Sequence, residues 1–298
     1  MVGSFSPSVL LRVARVTGVL AAHGLAVEER AVASSPDQFR SLLTGELDAA
    51  LTSPDNVLAY RYLPGNPLGR SADVRIVAGI DRGLGLGLYG VPDLESVADL
   101  RGARVGVDVA VSGFAFVLYE MLGRAGLRAV GDYELVELGA TPARLAALLH
   151  RRCAATMLNA GSDLRAEEAG LLRLASVADV ADPYLGTVLA VHGDPPPGVR
   201  ALAAALAEAI DAVLDGSAHH VAVAEAGALG LPRHLAERYA EGLADPATGL
   251  VAGAAVDRAG LASVLDLRRR HSPAPIDGDD PFGAALEPAS GLVDAAAG

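Results

Sequence analysis

One β-α-β-α-β unit is written twice in this chain, and that duplication limits the fold more than any other feature. Val2-Gly3 leads into Ser4-Phe5-Ser6-Pro7, and an apolar helix ends at Ala22-His23-Gly24-Leu25. Ser35-Pro36 then opens a helix carrying Leu42 and Leu43, and Leu47-Asp48-Ala49-Ala50-Leu51 runs into Thr52-Ser53-Pro54. The pattern returns in Arg104-Val105-Gly106-Val107, Val111-Ser112-Gly113 and Arg124-Ala125-Gly126-Leu127. Thr141-Pro142, Leu148-Leu149 and Ala154-Ala155-Thr156-Met157-Leu158-Asn159 complete the second copy. Strands alternating with helices build parallel sheets. Two copies therefore predict an α/β protein of two similar lobes facing each other across a cleft, where small molecules bind.

Length and composition agree. The 298 residues suffice for two α/β lobes, and 51% hydrophobic with 20% charged residues describes a globular chain. A net charge of −12 argues against nucleic acid and anionic membrane surfaces as partners, while leaving a small ligand open. Cys153 is the single cysteine, so no intrachain disulfide forms; it holds the place of Leu47 in the second copy and reads as an inert core thiol. No run approaches the roughly 18 apolar residues of a spanning helix, so no direct membrane insertion is expected. The start carries no basic n-region, long apolar h-region or lipid-attachable cysteine. The expectation is cytoplasmic if Met1 is the native start, extracytoplasmic if an export signal was removed.

Along the chain, Ser6-Pro7 reads as an N-cap with proline at the first helical position. Val9, Leu10, Val13, Val16 and Leu20 keep helical spacing up to the stop at Gly24. Asp73–Ile80 reads as a strand, Gly83–Tyr89 as an extended crossover between lobes, and Tyr184–Val191 as the return. The first lobe is thus residues 1–82 and 190–298, the second 83–189. Gly85-Leu86-Gly87-Leu88-Tyr89-Gly90 matches the dinucleotide fingerprint G-x-G-x-x-G in form only, since Pro92 follows and no helix opens there. Residues 199–243 are helical with a break near Gly230-Leu231-Pro232, Leu261–Arg269 forms a last helix, and Ser272–Gly298 is a strap or partly disordered.

Parallel α/β sheets bind ligands beyond the carboxyl ends of their strands. The duplication names four such loops: Ser4-Phe5-Ser6, Thr52-Ser53-Pro54-Asp55-Asn56, Val111-Ser112-Gly113 and Asn159-Ala160-Gly161-Ser162. Each offers backbone N–H groups and a helix dipole, suited to a carboxylate, sulfonate or phosphate; the alternative is that the hydroxyls only cap helices. Asp55 is the one acid in these loops, placed to meet an amine or a hydroxyl, or to serve as a first-turn helix acid. Asp81 and Arg82 sit at the hinge and are expected to pair with each other, the alternative being a pairing with the ligand. Phe5, Tyr89, Phe114 and Tyr184 lie near the cleft, where a stacking wall competes with core packing. No catalytic elbow, P-loop or metal-ligand spacing is present, and adjacent His219 and His220 point to different helix faces, so neither cofactor nor metal is expected.

Gly24-Leu25-Ala26-Val27-Glu28, Leu42–Ala50, Leu100–Val107 and Pro183-Tyr184-Leu185-Gly186-Thr187 resemble the type 2 periplasmic-binding-protein superfamily. Within it, the chain is similar to the nitrate/sulfonate/taurine and thiamine-pyrimidine-precursor binding proteins over roughly residues 2–270. The resemblance implies a two-lobed binder that closes on a small solute and delivers it to an ABC permease. The expected solute is anionic or an aromatic acid, held by Ser4, Phe5, Ser6, Thr52, Ser53, Asp55, Asn56, Asp81, Ser112, Gly113, Asn159, Gly161 and Tyr184. The alternative is a cytosolic enzyme, a lyase or decarboxylase with Asp55 as general base. The cysteine-rich motif of the thiamine-pyrimidine synthases is absent.

Overall fold

The computed structural model describes residues 1–128, 131–272 and 280–297. The first copy of the repeat forms β1 (Val2–Ser4), α1 (Val9–Val16), α2 (Val19–Ala22), β2 (Glu29–Ala31), α3 (Ser35–Thr44), β3 (Ala49–Thr52) and α4 (Pro54–Tyr62), followed by β4 (Val74–Asp81). After β5 (Gly87–Gly90), the second copy forms β6 (Arg104–Val107), α5 (Gly113–Arg124), β7 (Glu134–Glu137), α6 (Thr141–Leu149), β8 (Ala155–Leu158) and α7 (Ser162–Glu168), then β9 (Leu172–Ser176). The chain returns through β10 (Thr187–His192) to α8 (Pro197–Leu214), α9 (His219–Ala228), α10 (Arg233–Leu243) and α11 (Arg258–His271).

The strands make two five-stranded sheets, ordered β2-β1-β3-β10-β4 and β7-β6-β8-β5-β9. The orders are equivalent. In each, three parallel strands come from one repeat, and the fourth strand runs antiparallel to its neighbours. That fourth strand is the one through which the chain enters from the other lobe. The sequence repeat is thus a structural repeat, closed by two crossing segments.

Local differences from the sequence expectation have local causes. The first helix starts at Val9 with Ser8 as its cap, not at Pro7 behind Ser6, because Glu29 captures the Ser8 N–H at 2.8 Å and draws the loop over β2. Gly18, left-handed at φ 80°, breaks the expected long helix into α1 and α2. The return point at 189/190 falls inside β10, whose first residues Thr187 and Val188 already pair with Asp81 and Gly79 of the first sheet. Tyr89 lies in the second lobe's interior, 1% exposed, rather than on the cleft wall.

One apolar core packs Leu10, Val13, Leu206 and Ile210 against the first sheet. The larger core is continuous through both lobes. Phe39 and Tyr60, stacked at 4.0 Å, belong to the same cluster as Val105, Phe116 and Leu158. Tyr184, Leu185 and the α11 residues Leu261 and Leu265 join them. The C-terminal segment is a strap: Leu292 O and Asp294 N bond the backbone of Ile76, extending the first sheet at β4, while Phe282 and Leu292 are buried. Residues 273–279 of the expected strap lie outside the described residues.

Candidate functional site

The carboxyl ends of both sets of parallel strands turn toward the seam between the lobes. Asp55, at the start of α4, lies against Gly113 at the start of α5: a Cβ built on Gly113 would stand 2.8 Å from the Asp55 Cβ. Glycine is required there by close approach. The loop after β8 reaches the outgoing crossover, with Ala160 N–H donating to Leu84 O at 3.2 Å. Gly161 faces Leu231 and Tyr239 of the first lobe's helical cap. Three of the four expected loops therefore meet the opposite lobe or its crossover. The hydrogen bonds of the Ser4–Ser6 loop stay within lobe one.

The crossovers form the hinge floor. Asp81 is buried, and its Oδ1 accepts from Gly83 N–H at 2.8 Å and Leu84 N–H at 3.3 Å. A side chain on Gly186 would overlap Asp81 and the Gly83 backbone, so the outgoing and returning strands touch here. The expected Asp81–Arg82 pair does not form. Arg82 turns to Asp257 at 3.7 Å and to Leu250 O, because Asp81 faces inward to tie down its own crossover. Tyr184 packs on Gly83, 2% exposed.

Helix α11 staples the lobes together. Arg268 grips Asp55 with two bonds, Nε–Oδ1 at 2.6 Å and Nη2–Oδ2 at 2.8 Å, both residues buried. Its guanidinium also lies 5.0 Å from the centre of the Phe116 ring on α5. Arg270 and His271 then hold Glu120 of α5 at 2.8 and 2.9 Å. A buried ion pair of this kind leaves no free oxygen on Asp55, so the base expected for an enzyme is already occupied.

The hydroxyl and amide groups of the loops are likewise turned to local bonds. Ser4 Oγ donates to Glu29 at 2.6 Å; Asn56 Nδ2 donates to Thr52 at 3.1 Å; Ser53 caps α4 through the Asn56 N–H. Ser112 caps α5 and donates to Asp108 at 2.5 Å, and Asn159 Oδ1 accepts from Thr141 at 3.3 Å. Gly161, left-handed at φ 91°, donates its N–H to Asp163 at 2.7 Å. Ser6 is exposed.

These bonds change the electrostatics that the loops were expected to have. Each helix start already holds a carboxylate of the chain itself: Glu29 at α1, Asp55 at α4, Asp108 at α5 and Asp163 at α7. A dipole end satisfied in this way has little attraction left for an external anion. The sequence reading overlooked Asp163, one residue beyond the fourth loop. Its signal was available: Asp163 is the counterpart of Asp55, the second residue of the equivalent helix. Burial pushes its carboxyl up to about 6, against the backbone N–H bond from Gly161 that lowers it.

Apolar side chains stand exposed on the equivalent first loops of the two lobes. Phe5 is 43% exposed, and Val109 and Val111 are 47% and 49% exposed. Cys153 is buried, with burial raising its thiol, as expected for a core residue. Among the described residues no three His, Cys, Asp or Glu side chains group as metal ligands, and no helix is long and apolar enough to cross a membrane.

No protein-family model and no curated protein matches the chain. Solved structures do match in fold. The periplasmic nitrate-binding protein NrtA from Synechocystis PCC 6803 superposes with a TM-score of 0.74 at 14% identity, covering 96% of this chain and 84% of that one. A Bordetella bronchiseptica RB50 protein gives 0.73 at 20% identity, covering 94% and 92%. The alkanesulfonate-binding protein SsuA from Xanthomonas axonopodis pv. citri, bound to MOPS, gives 0.69 at 18% identity, covering 90% and 89%. The chain shares its two-lobed fold with these structures.

Proposed function

We propose that the protein binds a small solute between its lobes and works as the substrate-binding component of an ABC-type import system. The observation that carries this reading is the convergence of strand-end loops from both lobes on one seam, with Asp55 against Gly113 and Gly161 against Tyr239. A binder needs such a seam and a pair of narrow crossovers about which it can open; here these are the segments around Gly83 and Gly186. Exposed Phe5, Val109 and Val111 on the first loop of each lobe supply apolar contact for the solute. The likeness to nitrate- and sulfonate-binding proteins supports the class. It does not extend to their ligands, because the helix starts that would hold an anion carry the chain's own carboxylates.

The enzyme reading needs a free base at Asp55, and Arg268 holds both its oxygens. Solute binding is the better account. The test is thermal-shift screening against a metabolite library with small-angle X-ray scattering of each hit. A binder gains melting temperature with ligand concentration, and its radius of gyration falls or stays closed on loading. Absence of any stabilising compound overturns the proposal.

A further inference from the structure

Two carboxylates at this seam are buried without a counter-charge, their hydrogen bonds coming from backbone N–H groups nearby. Asp81 and Asp163 are 9% and 7% exposed, and among the described residues no arginine or histidine forms an ion pair with either. Arg238 of α10 is held by Glu167 at 2.5 Å. Asp55, the equivalent of Asp163 in the other lobe, does have a cation, Arg268. Tyr184, 2% exposed, packs its ring on Gly83 of the outgoing crossover, and its hydroxyl makes no hydrogen bond among the described residues. Tyr239, half-buried on α10 of the first lobe, sits against Gly161. A buried carboxylate without a counter-charge is costly. The phenols are independent of the acids, and they mark the same seam.

We propose that the solute is a small organic cation, a protonated amine or amidine, whose N–H groups pair with Asp163 while Tyr184 and Tyr239 accept or donate beside it. The inference rests on the solute-binding reading and supplies its chemical class. An N–H cation suits the seam better than a metal ion, since among the described residues no three metal-ligating side chains group there. The ring faces of the tyrosines add cation–π attraction, strongest when water is excluded.

The probes are benzylamine and benzamidine as cations, benzoate and benzenesulfonate as anions, and benzyl alcohol as the neutral match, each at millimolar concentration with the full chain at pH 7.5. The cations should raise the melting temperature in proportion to concentration, and the anions should not. Asp163→Asn keeps an oxygen for the Gly161 N–H and removes the charge, so it should weaken cation binding at least tenfold while the circular dichroism spectrum is unchanged. Tyr239→Phe gives a second, milder variant that loses only the hydroxyl and should weaken binding several-fold. Stabilisation by the anions equal to or above that by the cations overturns the cation assignment and leaves solute binding standing. Full cation affinity in Asp163→Asn overturns the role of Asp163. Silence from the probes overturns the assignment if the library screen yields a hit of other charge, and silence from both overturns the solute-binding reading itself.

Discussion

At Asp55 both carboxylate oxygens are committed to Arg268, so removing the guanidinium leaves a buried charge alone. Arg268→Met should cost about 3–5 kcal/mol, read as a lower urea midpoint, because an orphaned buried charge is worse than none. The double change Asp55→Asn with Arg268→Met should recover most of that loss. Equal instability of the single and double variants would mean that Arg268 acts by packing on Phe116 rather than by charge. Asp163 makes the opposite prediction. Its folded value of about 6 exceeds the ordinary aspartate value of 3.8, so the folded state binds more protons between these two pH values. Stability from this group is therefore highest below pH 3.8 and falls as pH rises through 6. Glu167 on its own helix, Tyr89 on β5, and Arg238 and Tyr239 on α10 surround it, and only Arg238 among them is positive. Asp163→Asn should raise the melting temperature of the unliganded protein at pH 7.5, by up to about 3 kcal/mol in stability, and the gain should vanish at pH 4. A gain of the same size at both pH values would show that ionisation is not its source.

Between elements, the crossovers carry the strongest steric constraint. Gly186 lies so near the Gly83 backbone and Asp81 that a methyl group must push two strands of chain apart. Gly186→Ala should destabilise by about 1–3 kcal/mol or more, seen in urea titration, whereas Gly123→Ala in α5, where a Cβ meets nothing within 4 Å, should be neutral or stabilising. Comparable behaviour of the two variants would refute the crowded hinge. Elements were readable where periodicity and stop signals were strong, as in α3, α8 and the break at Gly230-Leu231-Pro232. The start of α1 was not. Its cap is decided by Glu29, which is distant in sequence and reaches Ser4 and Ser8 only once β2 pairs with β1.

Across the molecule, α11 sets how far the lobes can part. It begins against the returning crossover, where a Cβ on Gly260 would lie 2.9 Å from Leu185 N, and ends on α5 through Arg268, Arg270 and His271. Phe116→Ala combined with Glu120→Gln removes the ring under Arg268 and the charge that Arg270 and His271 hold on the second lobe. The expected result is a larger radius of gyration in scattering without ligand, at unchanged helix content. An unchanged radius would place the hold on the lobes elsewhere, at the Glu167–Arg238 and Glu168–His234 pairs between α7 and α10.

The duplication, read from residues alone, was enough to establish two equivalent α/β lobes. Periodicity and turn residues act over a few positions, and a repeat doubles that local signal. The charge of the seam was decided only in three dimensions. Asp55 meets Arg268 and Tyr239 meets Gly161 across long sequence separations, and whether a carboxylate is neutralised depends on which distant side chain the folded chain brings to it. The same dipole ends that promise an anion site in sequence are therefore filled by Glu29, Asp55, Asp108 and Asp163 in the folded protein.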